Sequence, residues 1–439
     1  MQQFRSQLYA CFSKRAAAAF NLIDALASAA QVESPIELSQ SPAFERKYAS
    51  VYDVLGNSEL DHDKLGELVC KWPVEHAQTL SGYEVYAADS TGNPRPEAEC
   101  LPERILLKSD SVTPAVPGQE YACIVRVLHE KRSWVAPLDM QRVSSESTAS
   151  AVAAQQVLQV QQHSPQTLKV ITADSRYANR VFLAVFVGML TLCVLVRLRS
   201  NMALYGPPPK PNPHKPGRRR KHGAKFKLES ALRRLHSDRD ETIQIVGQSV
   251  RLRAWHHLHF KWLAELVGCV ICVEFLRPDG TPRYKRPLWL FWSGPLTVPL
   301  ADICRMYLWR FTIEHFFRFI KQHLGFYATR ATRLPSTERW IDIVMLAYWQ
   351  LLLAAPIITG HLAPWRATPN PNTPFPFTPR QVQLAFPAFL VVMGSPAHPT
   401  APAGKAPGRA LGFIPQPRPH LKPIRKSPIP KNSRPPHRV

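Results

Sequence analysis

The chain has 439 residues, with 55 Lys plus Arg against 32 Asp plus Glu and a formal net charge of +23. Hydrophobic residues make up 45%, too many for a disordered chain, so a core can form. Eight scattered cysteines exclude a secreted disulfide scaffold, and residues 1–10 lack the apolar stretch of a signal peptide. The charge excess points to a polyanionic partner, nucleic acid before an anionic membrane surface.

Residues 1–80 read as short helices: Arg15–Gln31, a brief one from Ser34 to Leu38, and Ala43–Leu55. We expect a helical N-terminal domain that binds DNA. From Tyr83 the pattern turns to strands. Tyr83–Ala88 is extended and ends at Asp89, and Tyr121–Leu128 pairs with Ser133–Pro137 as a hairpin. Ser144–Gln162 is helix-like. Leu168–Ala173 is a second strand that ends at a carboxylate, Asp174, and a helix and a strand to Arg197 follow. Residues 81–200 are thus the first part of an α/β core, a mixed sheet with flanking helices.

Residues 201–295 read as a β-rich insertion. Its first part, 201–228, holds eight cations and no acid, among them Arg218, Arg219 and Arg220, which are suited to phosphate contact. Strand-like runs follow at Thr242–Arg253, Val267–Leu276 and Pro287–Trp292. The Cys269/Cys272 pair lies inside one of these runs and lacks the second ligand pair that a zinc site needs. Residues 296–356 return to the core, with a helix from Pro299 to Gly325 and another over Ser336–Ala355. Neither apolar run spans a membrane: Val181–Val196 has 16 residues, short of roughly 20, and Trp340–Ala355 contains Asp342 and Gln350. Residues 357–439 are a Pro-rich basic tail. Positions 343–439 hold eleven cations and no acid.

The chemistry concentrates in Tyr307–Lys321. At about 100° per residue on a helix, Arg310, Glu314 and Lys321 fall within about 60° of Tyr307 on one stripe. Ile313, Phe316, Phe319 and Ile320 take the opposite face, which can pack on a sheet. One carboxylate therefore stands in line with two cations and a phenol. Asp89 and Asp174, at strand ends in the α/β part, can join Glu314. Three acids at one point repel unless cations neutralise them, and two Mg²⁺ ions about 3.5–4 Å apart would do so.

These residues resemble a DDE transposase of bacterial insertion sequences, in the branch with a Tyr-x2-Arg-x3-Glu-x6-Lys signature. Tyr307, Arg310, Glu314 and Lys321 match that spacing without a gap. Asp89 in Tyr86–Ser90 and Asp174 in Ile171–Tyr177 match the two aspartate motifs, and the β-rich insertion falls between the second aspartate and the glutamate. The resemblance implies an RNase H-like fold with Asp89, Asp174 and Glu314 as catalytic ligands of two Mg²⁺ ions, for which Mn²⁺ can substitute. It implies that Arg310 and Lys321 hold a phosphate at the transposon end and that Tyr307 hydrogen-bonds to the same backbone. The implied partners are double-stranded DNA, as transposon ends and target, and a second copy in a dimeric synaptic complex. The implied location is the bacterial cytoplasm, at the nucleoid. The reaction would be cutting at the ends and joining to target DNA. A flipped base stacked on an aromatic ring makes Trp289 and Trp292 candidates, against a role in core packing. The alternatives are a catalytically silent or domesticated DNA-binding protein and a nuclease of the same fold.

Overall fold

A computed structural model describes residues 1–75, 77–107, 114–129, 133–209, 220–245, 247–358, 377–400, 408, 410–414 and 416–426. Arg218 and Arg219 lie outside the described residues, and Arg220 is exposed.

The N-terminal elements are α1 (Gln2–Ala10), β1 (Phe12–Lys14), α2 (Ala16–Ser28), α3 (Ala49–Asn57), β2 (Glu59–Leu60) and α4 (His62–Lys71). The alanine-rich α2 is buried along almost its whole length, as small side chains allow close approach. Asp61 caps α4 by accepting from the Lys64 amide at 3.0 Å. A buried fork ties this region to the rest of the chain. Arg5 reaches both carboxylate oxygens of Asp24 at 2.8 Å and the Gln350 carbonyl at 2.7 Å.

The sheet begins with β3 (Thr79–Leu80), β4 (Tyr83–Pro94), β5 (Ile105–Leu107), β6 (Val116–Val127) and β7 (Val135–Val143). Then come α5 (Ala149–His163), β8 (Lys169–Ala173), α6 (Arg180–Leu183) and β9 (Leu192–Leu198). In space the order is β7-β6-β4-β8-β9. The first three strands are antiparallel neighbours, while β4, β8 and β9 run parallel. This is the order of an RNase H-like mixed sheet. The β4 strand continues past Asp89 to Pro94, because β6 pairs with it through Pro94↔Gly118. Asp89 therefore lies within a strand rather than at its end.

The next segment is β10 (Ala203–Tyr205), β11 (Lys225–Lys227), α7 (Leu228–Arg234), β12 (Arg239–Ile245), β13 (Gln248–Phe260), β14 (Leu263–Phe275) and β15 (Leu288–Trp292). The run expected over Thr242–Arg253 is split into β12 and β13 at Gly247, whose φ of 75° favours glycine. Through β15 the segment hydrogen-bonds to β9, so its strands lengthen the same sheet.

The chain closes with α8 (Leu300–Trp309), α9 (Thr312–His323), α10 (Leu334–Ala354) and α11 (Pro379–Met393). The single helix expected over Pro299–Gly325 is two. At the junction the amides bond three residues back: Arg310 to Tyr307 at 3.2 Å, Phe311 to Leu308 at 3.2 Å and Ile313 to Arg310 at 3.1 Å. The Thr312 hydroxyl donates to the Trp309 carbonyl at 2.9 Å, which favours this tighter turn. The α10 helix packs on α2 and β7, and its Trp349 indole donates to the Pro137 carbonyl at 2.7 Å. No described helix is long and apolar enough to cross a membrane.

Both candidate tryptophans of β15 point into the core, at 2% and 0% exposure for Trp289 and Trp292. Side chains on both faces of β15 are buried, so strand alternation exposes neither ring. Trp289 lies 5.8 Å from the Trp255 ring, and the Trp292 indole donates to the Pro295 carbonyl at 3.0 Å. Neither presents a face on which a base can stack in this structure. Gly268 of β14 permits the tight approach, since a Cβ there would lie 2.3 Å from the Trp292 carbonyl. Trp292→Ala is expected to cost about 3–5 kcal/mol of stability. Chemical denaturation checks this, and an unchanged midpoint would contradict the core assignment.

Candidate active site

Strand register builds the first half of the site. The parallel pair β4–β8 runs to Ala88↔Ala173, so the next residues on each strand, Asp89 and Asp174, stand side by side. Neighbouring strands are about 4.8 Å apart, which brings together two carboxylates separated by 85 residues of chain. Asp174 leaves β8 into a turn, where its Oδ1 accepts from the Arg176 amide at 2.8 Å.

The helical pair α8–α9 supplies the second half. Its apolar face, with Ile313, Phe316 and Ile320 fully buried, seats α9 against β4, β6 and β7. Glu314 falls in the first turn of α9, where the helix dipole favours a carboxylate, and Lys321 falls in the last turn. Arg310 sits at the junction, and its Nη1 donates to Asp89 Oδ2 at 2.8 Å with both side chains largely buried. The Tyr307 ring is buried, with the Arg310 guanidinium 5.8 Å from its centre. The Lys321 ammonium lies 5.9 Å from the Tyr327 ring centre.

The electrostatics bind these groups into one unit. Burial pushes the Asp89 carboxyl up to about 6; Arg310 and the Ser90 amide oppose this, and Asp174 and Glu314 add to it by like charge. Burial works against the Arg310 charge, but Tyr307, Asp89, Asp174 and Glu314 outweigh it and hold the guanidinium protonated. Burial also lowers Lys321, against the pull of Glu314, and raises the Tyr307 phenol. All three acids and all three signature partners therefore share one neighbourhood.

The donor set is carboxylate oxygen throughout, the class that Mg²⁺ and Mn²⁺ prefer. The like-charge strain on Asp89 is of the kind a divalent cation relieves. The residues thus fit the ions in chemistry. Among the described residues no group of three or more His, Cys, Asp or Glu is placed so that it could hold a metal ion, and Arg310 neutralises Asp89 instead.

Sequence reading missed several neighbours. Arg176 pairs with Glu120 at 2.6 Å and donates to Ser90 Oγ at 3.0 Å, while that hydroxyl donates to Glu120 at 2.8 Å. Arg176 adjoins the second aspartate motif and was open to notice. Glu120 was not, because only the Gly92↔Glu120 register brings it close. A pocket of 420 Å³ lies beside Tyr307 and Arg310, with Arg197, Arg286, Tyr284 and Phe311 on its walls. Tyr284 and Phe311 are 56% and 59% exposed, the open aromatic faces that Trp289 and Trp292 are not.

Over residues 7–257 the chain matches the family described as DDE superfamily endonuclease. The matched span holds Asp89 and Asp174 and stops before Glu314. No curated protein is matched. Among solved structures, a cryo-electron-microscopy structure of a piggyBac transposase synaptic complex with hairpin DNA aligns at 8% identity and a TM-score of 0.43. The alignment covers 87% of this chain and 73% of that one.

The position of Asp89 predicts a pH-dependent stability. Its carboxyl titrates near 3.8 in the unfolded chain and near 6 in the fold, so the fold favours the protonated form. Stability is then lost as pH rises from about 4 to 6, and the full penalty holds above 6. In chelator, Asp89→Asn should melt at or above the wild-type temperature at pH 8, with the gap closing as the pH falls to about 4. Melting curves across this range decide, and a lower melting point for the variant at pH 8 would show that the Arg310 pair outweighs burial.

Proposed function

We propose, since the chain belongs to the DDE superfamily endonuclease family, that it cuts DNA strands at the ends of a mobile element and joins them to target DNA. The observation that carries this reading is the register that sets Asp89 beside Asp174, with Arg310 on Asp89 at 2.8 Å and Glu314 within electrostatic reach of both. Asp89, Asp174 and Glu314 would hold two Mg²⁺ ions, and bound ions would supply Lewis-acid stabilisation and an activated attacking oxygen.

The remaining work falls to the chain's own groups. Arg310 has a flat guanidinium suited to two phosphate oxygens, and it is held on the acid cluster rather than released to solvent. The buried Tyr307 ring lies 5.8 Å from this guanidinium, within cation–π reach, and would act through Arg310. Lys321 is partly desolvated and faces Glu314, so an arriving phosphate gains a strong charge contact there. The pocket between Arg197, Arg286, Tyr284 and Phe311 offers cations for the flanking backbone and open rings for an unstacked base. Trp289 and Trp292 are left to the core. Exposed Arg220 and the basic segment around it would contact the backbone outside the cleft. The helical N-terminal domain over residues 1–80 and the tail are read as further DNA-binding parts, and the working form as a dimer across two ends.

The test is cleavage of a supercoiled plasmid carrying the gene's flanking sequences, with Mg²⁺ or Mn²⁺. Asp89→Asn, Asp174→Asn and Glu314→Gln should each lower strand cleavage by about 10³-fold or more, leaving DNA affinity within a few-fold. Chelator should abolish cleavage in the wild type. Undiminished metal-dependent cleavage in any of the three variants would overturn the site, and nicks without joined products would reduce the activity to hydrolysis.

A further inference from the structure

The C-terminal segment is not a free arm over its described part. Residues 416–426 meet the sheet at β5: Ile424 bridges Ile105 in parallel, the Ile424 amide donates to the Arg104 carbonyl at 2.7 Å, and the Leu106 amide donates to the Ile424 carbonyl at 3.3 Å. One step earlier the Leu421 amide donates to the Glu99 carbonyl at 2.8 Å, and the Arg104 guanidinium donates to the Leu421 carbonyl at 2.8 Å. Backbone pairing of this kind sets position as firmly as a sheet edge does. It delivers Arg418 to the loop between α9 and α10, where its guanidinium donates to the Thr332 hydroxyl.

That loop forms a pocket of 320 Å³ against α3. Arg330, Arg333 and Arg418 line it together with the hydroxyls of Thr329, Thr332 and Ser336, and the lining contains no carboxylate. Three arginines at one concave surface repel one another, and hydroxyl groups do not neutralise them. A phosphodiester supplies what is lacking: negative charge, and acceptor oxygens for both guanidinium and hydroxyl donors. The pocket is also fixed relative to the candidate active site. Arg95, just past the end of β4, donates to the Ala331 carbonyl in the pocket wall at 2.9 Å. Arg95 is six residues from Asp89 on a strand that rises about 3.4 Å per residue, or roughly 20 Å along β4. A duplex backbone passing the carboxylates can reach that far within about six base-pair steps.

We propose that Arg330, Arg333 and Arg418 form a second phosphate-binding site, completed by the docked C-terminal segment, that grips the DNA backbone past the Arg95 end of β4, which lies roughly 20 Å along the strand from Asp89. The inference rests on the proposed DNA activity. The experiment is fluorescence anisotropy of a labelled random-sequence duplex, titrated from about 50 to 200 mM salt, for the wild type, Arg330→Gln/Arg333→Gln and Arg418→Gln. Melting curves verify that each variant is folded. The double variant should flatten the slope of log affinity against log salt by about 1–2, and Arg418→Gln by up to about 1. An unchanged slope in folded variants would overturn the second site while leaving the DNA reading intact. Failure of the wild type to bind the duplex would overturn the DNA reading and this site with it. Inorganic phosphate at equal ionic strength separates the two anion sources. Weak competition supports a backbone site, whereas displacement of the duplex by low-millimolar phosphate would mark a free-anion site and overturn the proposal.

Discussion

Parallel pairing of β4 with β8 is the constraint on which the candidate site depends. It is a backbone interaction, indifferent to side-chain charge, and it places Asp89 beside Asp174 against their mutual repulsion. The hydrogen-bonded sheet and its buried valines, isoleucines and alanines supply the free energy that holds the two acids together. Every charged group nearby follows from that cost. Arg310 is drawn onto Asp89, Tyr307 lies beside Arg310, and Arg176 gathers Ser90 of β4 and Glu120 of β6.

The break between α8 and α9 belongs to the same logic. A straight helix would carry Tyr307 through Lys321 on one line. The three-residue hydrogen bonds at Arg310 and Phe311 bend that line, so that α9 can lie on the sheet through Ile313, Phe316 and Ile320 while Arg310 still reaches Asp89. The same bend leaves Phe311 open beside Tyr284 on the wall of the adjacent pocket. Packing and chemistry are thus met by different residues of one short segment.

Net charge also acquires a geography. The sequence's excess of cations is concentrated outside the acid cluster, in the segment after β9 and in the C-terminal part of the chain. Within the described tail, α11 packs against α2 and α10, and Ile424 bridges Ile105 of β5. A basic tail with low apolar content is ordered here because the edge of the sheet offers it backbone partners, which composition cannot reveal.

Much of the fold was legible in the chain. Apolar, β-rich runs marked β6, β7, β8, β14 and β15, and helical spacing marked α2, α5 and α10, because those patterns are local, whereas β10 and β11 were not readable and β12 and β13 read as one run. The spacing of Tyr307, Arg310, Glu314 and Lys321 was likewise readable, since a helix keeps such residues near one another whatever surrounds it. The continuation of β4 beyond Asp89 was not readable, as its polar residues Ser90 to Asn93 are extended only because β6 pairs with them. Trp289 and Trp292 read as core residues ahead of base-stacking candidates, and their burial on β15 places both in the core. Glu120 and the Arg330–Arg333–Arg418 pocket join residues distant in sequence. Local periodicity determined which segments are strands and helices and which side chains carry charge along them. Only the tertiary structure decided which of those charges meet, because register and edge pairing act between segments that the sequence does not place side by side.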